Sequence, residues 1–145
     1  MQRDDQMELL EREDAFETLQ AAFQSATDGI GQFVLICGEA GIGKTSLVTQ
    51  FAKLQKMPLR FLRGTCDPFN TPHPLCPLID IASQIPDEEL SRMLWEPARP
   101  VIFHSFFEKI QSSKTTTIVV FEDIHWADEA THDVLIFLVL HHSES

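Results

Sequence analysis

The chain has 145 residues, 22 acids against 11 Lys and Arg, and a formal net charge of -11. That length suits one domain with a sizeable core rather than two. The acidic balance excludes a segment that holds nucleic acid by neutralising phosphates.

The apolar positions Phe16, Leu19 and Phe23 recur at helical spacing, which predicts an amphipathic helix from Glu13 to about Thr27. It ends at Asp28-Gly29-Ile30-Gly31. The continuous apolar run Phe33–Cys37, FVLIC, is predicted as the first strand of a parallel sheet covered on both faces, with Cys37 a structural thiol on it. Leu47, Val48, Phe51 and Leu54 mark one face of a second helix that Pro58 ends, and Leu59–Gly64 is the second strand. The stretch CDPFNTPHPLCP carries Pro68, Pro72, Pro74 and Pro77, too rigid for a helix and too irregular for a central strand. Short helices are expected around Leu78–Ile85 and Asp87–Trp95, then a better one containing Phe103, Phe106, Phe107 and Ile110. The β-branched run Thr115–Phe121 is the third strand, and Asp128 is a candidate N-cap for a last helix running towards His141. This order describes an α/β layered domain.

Two stretches carry chemistry. Gly38-Glu39-Ala40-Gly41-Ile42-Gly43-Lys44-Thr45 fits G-x-x-x-x-G-K-[ST], with Ser46 following. Gly38 and Gly43 let the chain wrap with its N–H groups towards phosphate oxygens, and the helix that starts there adds its positive end. Lys44 is placed for the β- and γ-phosphates, and the Thr45 hydroxyl for Mg²⁺. Downstream, an apolar strand delivers Glu122 and Asp123 to a sheet edge where ligands gather. One acid would hold the metal ion, and the other would orient or deprotonate an attacking water. On the residues alone, Glu122 and Asp123 are both open to either role.

Other residues carry weaker signals. His125 and Trp126 follow the acids and are placed to contact the triphosphate region or steady the loop, with packing the favoured role for Trp126. His73, His104, His132 and the pair His141-His142 show no metal-ligand spacing, so no zinc site is expected. Cys37, Cys66 and Cys76 lack a CxxC pair, as expected of reduced thiols in a cytoplasmic protein. The opening MQRDDQMELLERED has no apolar core of a secretory signal, and the longest apolar run, Val134–Leu140, is too short to cross a bilayer.

GEAGIGKTSL together with VVFEDIHWADEAT resembles the ATPase modules of AAA+/STAND-type signalling regulators, among them LuxR-type transcriptional activators and cyclase-linked or kinase-linked proteins. Arg63–Ala82 looks like that group's proline-rich segment, and Glu8–Phe23 like its entry helix, although Glu11 stands where a glycine is expected before Arg12. The resemblance runs from about Leu10 to about Phe137. It implies a P-loop fold, three-layer α/β/α with a mainly parallel sheet, with an entry segment and helix over 1–31 and a nucleotide-binding core over 32–145. It also implies an ATP- and Mg²⁺-dependent switch with slow hydrolysis, acting on the remaining domains of a larger regulator or on protein partners. Within such a site Asp123 is the preferred Mg²⁺ holder, through water, with Glu122 supporting it or polarising water. A further strand bearing a polar sensor residue would follow the helix after the acids. The chain stops at Leu140–Ser145, so a truncated module is expected. Arg60, Arg63, Arg92 and Arg99 lack the context of an arginine finger. The alternatives are a small P-loop kinase, for which no arginine-rich lid is found, and a non-catalytic nucleotide-binding interaction fragment.

Overall fold

The computed structural model describes residues 2–37, 43–66, 75–93 and 99–141. The helices are α1 (Gln2–Thr27), α2 (Lys44–Leu54), α3 (Cys76–Ser83), α4 (Glu88–Met93), α5 (Arg99–Gln111) and α6 (Glu129–His141). The strands are β1 (Leu59–Thr65) and β2 (Thr116–Glu122), and a 3-10 turn spans Ile124–Trp126. Two compact units divide the chain, one reaching Met57 and the other spanning Pro58–His141.

The first unit is built on aromatic packing between α1 and α2. The rings of Phe16 and Phe23 meet Phe51 edge-on, at centroid distances of 6.0 and 5.9 Å. Phe23, Leu47, Val48 and Phe51 are buried there. Leu54, expected on the same apolar face, is instead 67% exposed. It is the last residue of α2, and the chain leaves the helix at Gln55, whose N–H donates to the Ala52 carbonyl. At its start α1 runs from Gln2, well ahead of the apolar stripe. Spacing marks only a buried face, and the helix formers Gln, Glu, Met and Leu extend the helix beyond it. The helix ends as expected, at a turn where Gly29 takes φ 90.

Phe33–Cys37 does not join the sheet, which among the described residues has two strands. Phe33, Val34 and Leu35 are exposed, Cys37 also, so neither the strand nor the buried structural thiol expected there is found. An apolar run sets a demand for burial, whereas a strand needs a neighbour to take its N–H and C=O groups. This segment lies beside Thr18, Ala21, Ala22 and Ser25 of α1.

The second unit holds the sheet. β1 and β2 are parallel, in register from Leu59 opposite Thr116 to Thr65 opposite Glu122. Leu62 of β1, Leu78, Ile81 and Ala82 of α3, Phe106 of α5, and Ala130 and Val134 of α6 form one core with Leu75 and Ile85. Close packing of α3 on β1 explains Gly64: a Cβ there would lie 2.2 Å from the Pro77 carbonyl oxygen. α3 begins two residues before the predicted start, at Cys76 and Pro77. A first-turn proline is tolerated because its missing N–H has no helical partner anyway. The remaining proline-rich stretch, 67–74, and the expected helix end at Trp95 lie outside the described residues.

Lys109 of α5 reaches Asp87 at 2.7 Å, and that hydrogen bond and charge raise the lysine pKa. Phe107 meets Phe137 of α6 edge-on at 6.1 Å. Asp128 sits at the expected N-cap, its carbonyl accepting the His132 N–H at 3.0 Å and its carboxylate accepting the Thr131 hydroxyl. No helix among the described residues is long and apolar enough to cross a membrane.

Candidate functional site

The glycine-rich loop is described from Gly43 onward; Gly38, Glu39, Ala40, Gly41 and Ile42 lie outside the described residues. Gly43 is the N-cap of α2 with φ 84, a left-handed conformation that a Cβ would strain. Its carbonyl accepts the Leu47 N–H at 2.9 Å, the bond that opens the helix. Lys44, Thr45 and Ser46 therefore form a first turn whose N–H groups have no intrahelical acceptor, the arrangement that attracts an anion. Thr45 and Ser46 are exposed, and the Thr45 carbonyl accepts the Thr49 hydroxyl at 2.8 Å. Arg12 of α1 brings a second cation: its Nη2 lies 3.7 Å from where a Gly43 Cβ would stand.

The second unit carries the acids, side by side at the end of β2. Glu122 is nearly buried, at 11% side-chain exposure. Its Oε2 accepts from Arg63 Nη2 at 2.6 Å and Nε at 2.7 Å, and from the Thr65 hydroxyl at 3.4 Å. Its Oε1 is buried with no hydrogen-bond partner among the described residues. Such a half-satisfied carboxylate in a low-dielectric setting favours a further donor or cation. Asp123 differs at every point: it is exposed, takes φ 54, and its carbonyl accepts the Trp126 N–H at 2.9 Å to open the 3-10 turn. Of the two, Asp123 is the one open to solvent and to a hydrated metal ion, whereas Arg63 occupies one oxygen of Glu122.

The packing role expected of Trp126 is not observed, because the ring is 54% exposed. The turn after Asp123 carries the ring away from the core, and it contacts His125 at a centroid distance of 5.1 Å. No cluster of metal-ligating side chains occurs among the described residues.

The sequence model of the AAA ATPase domain matches residues 8–145. The chain belongs to the AAA ATPase domain family. Over 78 residues it is 31% identical to the hybrid signal transduction histidine kinase G of Dictyostelium discoideum, a match covering 54% of this chain and 2% of that protein. No solved structure matches the chain.

For an AAA ATPase domain, which implies nucleotide binding, three cations near these stretches matter. Lys44 was evident from its motif, but Arg12 was placed only in the entry helix, and Arg63 had no assigned role. No spacing rule reveals the Arg63–Glu122 pair, because the partners are 59 positions apart and meet only through the parallel register. The Cys66 thiol completes the strand ends. Its pKa is pushed up to about 11, first by burial and then by the charges of Asp128, Asp123, Cys76 and Asp80.

Proposed function

We propose that the chain is the ATP-binding switch domain of a signalling or transcription regulator, built on the three-layer P-loop plan with an entry helix. In this reading Gly38–Ser46 wraps the triphosphate, Lys44 neutralises its outer phosphates, and Thr45 and Asp123 hold Mg²⁺. When bound, Mg²⁺ would offset the charge of the triphosphate. Glu122 polarises a water, and its tie to Arg63 goes with slow turnover. The left-handed Gly43 opening α2 in a chain of the AAA ATPase family is the observation that carries the reading. The Dictyostelium discoideum relative, a hybrid signal transduction histidine kinase, supports the signalling context. The domain would bias contacts with other regions or partner proteins, without direct nucleic-acid or membrane contact, in the cytoplasm.

The test is calorimetric titration with a non-hydrolysable ATP analogue, with and without Mg²⁺, on the parent and Lys44→Ala. Magnesium-dependent binding is expected, weakened roughly tenfold to hundredfold in the variant, the range for losing a charged hydrogen bond. Equal affinity of parent and variant would remove Lys44 and the loop from the site.

A further inference from the structure

Among the described residues, the two side chains that hydrogen-bond the Glu122 carboxylate, those of Arg63 and Thr65, lie on β1. Their backbones are held from the edge of β1 that faces away from β2, and the holder is the last turn of α3. Gln84, the C-cap of α3, uses its amide as a strand would: Oε1 accepts the Arg63 N–H at 3.1 Å, and Nε2 donates to the Arg63 carbonyl at 2.6 Å. Nε2 also donates to the Asp80 carbonyl at 2.8 Å, which anchors the amide to its own helix. One turn earlier, the Asp80 carboxylate accepts the Thr65 N–H at a long 3.5 Å. Pro77, at the start of α3, abuts Gly64 between them.

We propose that Gln84 is a positioning residue for Glu122, acting through Arg63, so that the setting of α3 is transmitted to the acid. The proposal rests on the reading of Glu122 as a working acid. The chemistry is directional. A planar amide that both accepts from and donates to one residue fixes the two peptide groups flanking that residue about the strand axis, as a neighbouring strand does. With Arg63 so held, its guanidinium reaches Oε2 through two donors, a geometry sensitive to small displacements of the backbone. Release of the amide frees the Arg63 peptide, lengthens that double contact, and opens Glu122 to other donors.

The test uses the full chain with glutamate labelled at the side-chain carboxyl carbon, observed by NMR without nucleotide. The outcome is therefore independent of whether ATP binds. Gln84→Met keeps the length of an exposed side chain and removes all three amide bonds, two of them to Arg63. The expected result is a shift of the Glu122 carboxyl signal in the direction produced by Arg63→Met, with exchange of the Arg63 amide faster by about tenfold, the factor for one lost hydrogen bond. The Cys66 amide, bonded to the Glu122 carbonyl at 3.0 Å, serves as control and keeps its protection. Gln84→Glu, which retains the acceptor but turns a carboxylate on two carbonyls, should shift the signal further. If Arg63→Met moves the Glu122 signal and neither Gln84 variant does, Gln84 merely seals a strand edge and the proposal is overturned. A signal unmoved by Arg63→Met overturns it as well, by removing the link itself.

Discussion

Two apolar runs meet opposite fates in this chain. Thr116–Glu122 lies in register beside β1, every residue partly covered, with Val119 and Phe121 against the core. Phe33–Cys37 is apolar throughout, yet Phe33, Val34 and Leu35 are 40%, 37% and 60% exposed. What separates them is the neighbour. β2 has a parallel strand to take its backbone groups, and helices α3, α5 and α6 contribute side chains to the core beside it. The earlier run has α1 alongside, which offers no ladder. Burial in this molecule follows the availability of a backbone partner, and apolar side chains alone do not secure it.

The contrast can be broken experimentally, beginning where the effect is largest. Phe106→Ala, at a site 1% exposed in the second unit, should cost about 3–5 kcal/mol in a denaturant titration. A cost near zero would mean that the core around the sheet is not packed as described. Next comes the Cys66 thiol, whose pKa of about 11 lies above its ordinary 9.0. That displacement lowers its thiolate fraction at pH 8 about a hundredfold, so maleimide should label exposed Cys37 long before Cys66. The sign for stability follows. The unfolded chain releases this proton first, so the contribution is complete below pH 9 and is lost as pH rises towards 11. Labelling of Cys66 as fast as Cys37 would place it outside the core.

Gly64→Ala tests the seam between α3 and β1, where the added carbon meets the backbone of Pro77. A loss of about 1–3 kcal/mol is expected, the usual range for overfilling a packed site. Smallest of all is Leu35→Ala, expected to stay within about 0.5 kcal/mol because the side chain is mostly exposed. A loss comparable to that of Phe106→Ala would show Leu35 buried in solution and erase the contrast between the two runs.

Sequence pattern made much of the second unit legible. The β-branched TTTIVVF, Thr115–Phe121, gave β2 with each end one residue early, the spacing around Phe106 gave α5, and Asp128 gave the start of α6. These signals are local, since each depends on residues within a few positions. The acids at the end of β2 were legible for the same reason, and so was the glycine at the start of α2. What stayed hidden depends on partners distant in sequence. The exposure of Phe33, Val34, Leu35 and Cys37 goes with the lack of a strand partner among the described residues, and the exposure of Trp126 with a turn begun by a left-handed Asp123. The grip of Arg63 on Glu122 and the Gln84 amide that holds Arg63 follow only from the register of β1 and the end of α3.

The parallel pairing of β1 with β2 also bears on how the second unit forms. Its first pair, Leu59 with Thr116, joins residues between which α3, α4 and α5 lie, so no hairpin can start the ladder. Loop closure must come before any strand bond compensates for it. The helices between the strands shorten that loop once they pack, so α3 against β1 is the natural early step and strand pairing the late one. Synthesis imposes the same order, because β1 leaves the ribosome with α3 well before β2 exists. Until then the edge of β1 that will receive β2 stands open, and the kinetic hazard of this unit lies in that interval.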